Sequence, residues 1–151
     1  VFNSSTHVLL KDRDSIIIST IEISKKTSII INDFSQNIEL NNGKLIFKLI
    51  SYTEDLIFHD KSAYLDFEKV KWPIILRNWK NGDKMSPLGL KGNKLISKIL
   101  IDKKINRFEK NDQYVIESDG EIMWLLNLAT SNNFSITNHT KKIIKIEYIQ
   151  Y

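Results

Sequence analysis

Three observations in this 151-residue chain predict an α+β protein of mainly antiparallel strands with one main helix and one short helix. Short runs rich in isoleucine, valine and threonine recur between turn residues. Asn42-Gly43 and Asp119-Gly120 sit between apolar runs, which is the strongest local signal for a hairpin. Only one segment, near residues 93 to 104, spaces its apolar residues as a long helix would.

The elements follow in order. "HVLLKDRDSIIIST" (7–20) reads as two strands around a charged turn, "TSIIIND" (27–33) as a short strand, and "IELNNGKLIFKLI" (38–50) as a hairpin turning at Asn42-Gly43. A second unit begins near residue 60, so the expected division is a β-rich connector over 1–59 and a second domain over 60–151. Asp66 can cap a short helix over about 66–71, which Pro73 ends, and "IILRNW" (74–79) follows as a strand. In "NKLISKILIDKKI" (93–105), Leu95, Ile96, Ile99 and Leu100 form one apolar stripe, and Asn93 is placed as its N-cap. "QYVIES", the Asp119-Gly120 turn and "EIMWLLNLA" make a further hairpin, and "KKIIKIEYIQY" alternates well enough to close a sheet.

Composition narrows the functional classes. There is no cysteine, which removes disulfides, thiolate metal sites and cysteine nucleophiles. No apolar run approaches the roughly 20 residues of a membrane helix, so the expectation is a cytoplasmic protein with no membrane partner. The chain opens at Val1, as a piece of a longer protein would. Its charge is uneven: residues 61–110 hold thirteen Lys or Arg against five Asp or Glu, out of 22 and 18 in the whole chain. Such a basic segment suits an anionic partner, nucleic acid being the commonest, although lysine-rich solvated faces are also routine.

The search for chemistry comes out largely empty. His7, His59 and His139 are scattered without paired ligands, so no metal site is expected. "GLKGNK" lacks the spacing of a phosphate loop, and there is no G-x-S-x-G elbow. Trp72, Trp79 and Trp124, with Tyr64 and Phe67, read as core rather than as base-stacking platforms. No catalytic residue is assigned. What stands out is "NGDKMSPLGLKGNKLISKIL" (81–100), where Gly82, Asp83, Pro87, Leu88, Gly89 and Gly92 supply tight turns ahead of the helix. On that reading Lys94 and Lys98 are helical i, i+4 neighbours at a helix start that favours anions.

"LRNWKNGDKMSPLGLKGNKLISKILIDKKI" (76–105) resembles the carboxy-terminal domain of the tRNA(Ile)-lysidine synthetase (TilS) family, whose pattern runs L-R-x-x-x-x-G-D-x-x-x-P-L-G-[ML]-x-G-x-K-K-L. Arg77, Gly82, Asp83, Pro87, Leu88, Gly89, Gly92 and Lys94 fall in register, and the likeness extends over about residues 60–146. Asn106 departs from a proline, and Asn127 and Ala129 from a common glycine and arginine.

The resemblance implies a non-catalytic, tRNA-binding part of an ATP-dependent ligase. The family's full enzyme uses ATP and Mg to join lysine to the wobble cytidine of a tRNA with a CAU anticodon. Its amino-terminal S-G-G-x-D-S loop does not occur here, so no cofactor is expected in this chain. The implied partners are the tRNA(Ile) acceptor stem and the enzyme's own N-terminal ATPase domain. The residues expected to meet phosphates are Arg77, Lys80, Lys84, Lys91, Lys94 and Lys98, followed by Lys103, Lys104 and Arg107. The competing reading is a structural module that contacts other domains or a second subunit as a homodimer, with the lysines incidental. A similar fold in the phenylalanyl-tRNA synthetase β subunit means that architecture alone does not separate the two.

Overall fold

The computed structural model describes residues 28–151 in full and, before them, the backbone of three strands, β1 (Phe2–Asn3), β2 (His7–Asp12) and β3 (Ser15–Thr20). These three form an antiparallel sheet in the order β1-β2-β3, with Asp12 opposite Ser15. The two apolar runs of "HVLLKDRDSIIIST" are therefore paired strands. The turn residues 13 and 14, and the side chain of His7, lie outside the described residues.

The remaining strands are β4 (Ser28–Ile31), β5 (Ile38–Leu40), β6 (Gly43–Ser51), β7 (Ser62–Asp66), β8 (Ile74–Asn78), β9 (Lys84–Met85) and β10 (Lys94–Leu95), then, after two helices, β11 (Tyr114–Ser118), β12 (Glu121–Leu125), β13 (Ala129–Thr130) and β14 (Lys142–Gln150). Five of them make one sheet, β13-β12-β11-β8-β4, and four make another, β5-β6-β14-β7. All recorded pairings are antiparallel.

The main core lies between these two sheets. Leu45, Leu65, Ile144 and Ile146 from the four-stranded sheet meet Ile31, Ile74, Leu76, Ile116 and Trp124 from the five-stranded one. A second cluster covers the opposite face of the five-stranded sheet, where Val115, Ile122 and Leu125 meet Met85 and Ile96, Ile99 and Leu100 of helix α1 (Ile96–Asp102). Val115 and Ile116 are adjacent and both fully buried because successive strand residues point to opposite faces and each face is covered. Trp124 and Trp72 join the main core and Trp79 packs against the second cluster, so the tryptophans serve packing.

Four expectations need correcting. The boundary read at residue 59/60 does not divide two cores: β4 pairs with β8, β6 pairs with β14, and Ile31, Leu45 and Phe47 share the main cluster with residues from beyond it. The hairpin after β5 turns at Asn41-Asn42, with Leu40 opposite Gly43, so Gly43 is a strand residue. A Cβ at Gly43 would lie 2.3 Å from the Ile149 carbonyl oxygen, so the glycine serves close backbone approach instead of a turn. The main helix begins at Ile96, not Asn93, because Lys94 and Leu95 pair with β9, and its N-cap is Leu95 with no side-chain bond. Finally, "EIMWLLNLA" stops being a strand at Leu125, where a turn with Asn127 at φ 60° intervenes before β13.

Other expectations hold. Asp66 accepts a hydrogen bond from the Glu68 N–H (3.1 Å) and caps a single 3-10 turn, Phe67–Lys69. Asp119 and Gly120 both take positive φ, 49° and 80°, the geometry that makes an Asp-Gly turn compatible with twisted strands. A second helix, α2 (Arg107–Asn111), was not anticipated.

Candidate nucleic-acid interface

The glycine-rich stretch is a hairpin. β9 and β10 pair with Lys94 opposite Met85 and Leu95 opposite Lys84, and the residues between them form its loop. Met85 is buried, so its strand turns the Lys84 side chain outward, where it is exposed. The loop is pinned to the five-stranded sheet: Pro87 bridges Ser131, the Leu88 N–H donates to Thr130 O (2.9 Å), and the Asn132 N–H donates to Ser86 O (2.7 Å). Across the loop the Ser86 hydroxyl donates to Gly92 O at 3.1 Å. Gly89, at φ 83°, allows the Leu90 N–H to close a turn on Pro87 O (3.1 Å).

Asp83 locks the base of this hairpin. Its carboxylate accepts from Arg77 Nη1 (2.8 Å), Arg77 Nη2 (3.0 Å) and the Lys80 N–H (2.8 Å), while its backbone oxygen accepts from the Ile96 N–H (2.8 Å) at the start of α1. Arg77 is also bonded to Glu117 on β11, Nε to Oε2 at 3.0 Å. Burial alone would raise the Asp83 carboxyl, but the bonds from Arg77 and Lys80 outweigh it and hold the group below its ordinary value. The bond to Asp83 is the main influence raising Arg77 above its own.

This places the expected phosphate contacts in two groups. Arg77 is turned inward, 16% exposed in its side chain and engaged by two carboxylates, so its role in the structure is to tie β8, the hairpin base and β11 together. Lys94, in β10 and not in a helix, pairs with Asp102, so the expected i, i+4 relation to Lys98 does not exist. Lys80, Lys84, Lys91, Lys98, Lys103, Lys104 and Arg107 are exposed. Lys104 takes φ 57° just past Lys103, the C-cap of α1, and Arg107 opens α2.

Between loop and helix runs a groove of about 290 Å³, lined by Pro87, Leu88, Leu90, Lys94, Ile99, Asp102, Lys103, Leu128, Ala129 and Thr130. Ala129, where an arginine is common in the resembled family, lies in this groove, leaving Lys94 and Lys103 as its cations. Asn127, in place of a glycine, holds the left-handed conformation that asparagine tolerates better than most residues. Asn106, in place of a proline, caps α2 by accepting from the Glu109 N–H (3.0 Å). Asn106-x-x-Glu109 is the signal that reveals α2 in the sequence. Among the described residues no three His, Asp or Glu side chains gather as a metal site would require. None of the described helices is long and apolar enough to cross a membrane.

Comparison with known proteins decides the family. Residues 74–148 match the family described as the TilS substrate C-terminal domain. The chain carries a TilS C-terminal domain. It is 34% identical over 153 residues to the tRNA(Ile)-lysidine synthase of Parabacteroides distasonis, covering 99% of this chain and 34% of that protein. It is 34% identical over 127 residues to that of Clostridium acetobutylicum, covering 83% of this chain and 28% of the relative. The chain thus spans about a third or less of the curated relatives it matches. A crystal structure of a TilS C-terminal domain superposes with a TM-score of 0.70 at 21% identity, covering 82% of this chain and 98% of the other. That likeness establishes the TilS C-terminal fold, and the anchored hairpin followed by α1 lies wholly within the matched residues.

Proposed function

We propose that this chain is the RNA-gripping C-terminal part of a tRNA(Ile)-lysidine synthase, holding the acceptor stem of tRNA(Ile). The ATP- and Mg-dependent joining of lysine to the wobble cytidine would then belong to an N-terminal ATPase domain of the same cytoplasmic enzyme.

The observation that carries this reading is the pinned hairpin. Turns at Gly82, Gly89 and Gly92 shape a loop tied to the five-stranded sheet, and Lys80, Lys84, Lys91, Lys98 and Lys103, in and around that loop and the helix after it, are all exposed. A-form RNA is held through phosphates and 2′-hydroxyls, by shape more than by base edges, and a rigid cationic ridge suits that task. The interaction-module reading rests on Leu88 and Leu90, which are 59% and 51% exposed and would suit a protein partner such as another domain or a second subunit.

Fluorescence anisotropy with a labelled acceptor-stem hairpin across a salt series separates them. Four neutralised phosphates give a log-log salt slope of about −3 to −4, and replacing Lys84, Lys91 and Lys98 together by Gln should flatten it by about 2 to 3. Equal slopes for the two proteins, or no binding at low salt, would leave the interaction-module reading standing.

A further inference from the structure

Beside the cationic groove lies a second hollow of about 370 Å³, walled by Phe58, Tyr64, Leu88, Thr130 and Ile136. We infer that it is a slot for one unpaired nucleobase of the bound RNA, entered where the strand leaves the lysine-lined groove. The inference rests on the RNA-binding reading above.

The Phe58 ring is 55% exposed, yet it is not left loose. The His59 N–H donates to the Tyr64 hydroxyl (3.2 Å), and that hydroxyl donates to Ile57 O (3.4 Å). Both chain neighbours of Phe58 are thus tied to one buried side chain on β7, and the Phe58 ring stands edge-on to Tyr64, with centroids 4.8 Å apart at 78°. Lys145 Nζ lies 5.6 Å from the Tyr64 ring centroid, adding a further contact to the tyrosine that holds Phe58. An exposed ring already held in place loses little freedom when a flat ligand stacks on it.

Charge says which part of a nucleotide enters. No Lys or Arg lines this hollow and Asp60 does, so it repels phosphate. A nucleobase is uncharged, has a π-face for Phe58, and presents edges that Thr130 and the other polar residues at the rim can bond. Leu88 and Thr130 line both hollows, so a strand whose phosphates follow the first groove past Lys103, the lining cation not taken up by Asp102, brings its next base to the slot. Phe58 lies outside the glycine-lysine segment, directly after Leu56 and Ile57, and nothing local in the sequence sets it apart as a base-stacking residue.

The test uses the 151-residue chain with a blunt RNA hairpin, the same hairpin bearing a short single-stranded extension, and a third whose extension is abasic. Stacking of one base should tighten the extended hairpin by about 5- to 150-fold over the blunt and abasic ones. A 2-aminopurine placed in the extension should be quenched on binding. Phe58→Ala should abolish the gain and the quenching while blunt-hairpin affinity and salt slope stay within about twofold. If the extension adds nothing while the blunt hairpin still binds with its salt slope, the slot is refuted and the cationic grip is not. An abasic extension as good as the natural one also refutes it, since the gain would then come from phosphates. If no hairpin binds at all, the RNA-binding reading fails and the slot with it.

Discussion

Replacing Arg77 by methionine should cost more stability than any change to a surface lysine, and the structure sets the size of the effect. The substitution keeps most of the packing volume and removes the cation from between Asp83 and Glu117, whose side chains are 8% and 17% exposed. Two mostly buried carboxylates then face each other unpaired. Breaking a buried pair costs about 3–5 kcal/mol, and the residual exposure of this site puts the expectation near 3 kcal/mol. For a chain of 151 residues that corresponds to a fall in Tm of roughly 6–12 °C. Asp83→Asn should cost only about 1.5–2 kcal/mol, because the amide oxygen can still accept from the Lys80 N–H and Arg77 keeps Glu117.

The pH dependence gives a second handle. Asp83 titrates below its ordinary value when folded, so its contribution is present above the unfolded carboxyl range, near pH 4, and is lost as pH falls through the folded value. The deficit of Arg77→Met relative to wild type should therefore shrink towards about pH 3, where protonation of Asp83 removes the charge that Arg77 answers. Urea unfolding followed by tryptophan fluorescence at neutral and low pH measures both effects. A loss below about 1 kcal/mol, or a deficit unchanged at about pH 3, would show that the Arg77 network does not hold the hairpin base.

Two glycines should fail for different reasons. Gly89→Ala has open space for its new methyl but φ 83°, so it should cost about 1–2 kcal/mol with no rearrangement of neighbours, measured by urea unfolding. Gly43→Ala would drive a methyl against the Ile149 oxygen and the Tyr148 ring, so it should cost about 1–3 kcal/mol and shift the amide resonances of both residues in NMR spectra. Asn106→Ala should cost about 1 kcal/mol and speed hydrogen exchange at the Glu109 amide, whose acceptor is lost. Thr140→Val should cost about 1–3 kcal/mol by leaving buried Asp66 without its 2.9 Å hydroxyl bond, and thermal unfolding reads it directly.

What the sequence made legible was local. Asp119-Gly120 announces its hairpin because both residues must take positive φ, and Asp66 announces its cap because its carboxylate reaches an amide two residues on. Misreadings arose where a distant partner decides. Asn42-Gly43 looks like a turn, but Gly43 answers to Ile149, far along the chain. Lys94 and Leu95 carry a helical stripe into Ile96, but their backbone is claimed by β9. Arg77 stands in a run rich in cations, and nothing local says that Glu117 will meet it from β11. How the connector read into residues 1–59 packs was not legible, because β4 and β6, in the described part of it, pair with strands that come much later. Asn106-x-x-Glu109 carries the α2 cap as a local signal, set among lysines that draw the eye to charge instead.

β14 lies inside its sheet, between β6 and β7, and its pairing runs from Lys142 opposite Ser51 to Gln150 opposite Gly43. On a translating ribosome, β6 and β7 emerge long before the strand that joins them, and each waits with unpaired backbone groups along one side. The nascent chain can close its local hairpins early, but the main core forms only when β14, made long after its partners, inserts between them. That order makes these strands natural clients for a chaperone during synthesis, and it makes loss of β14 a lesion of the whole sheet and not of one edge.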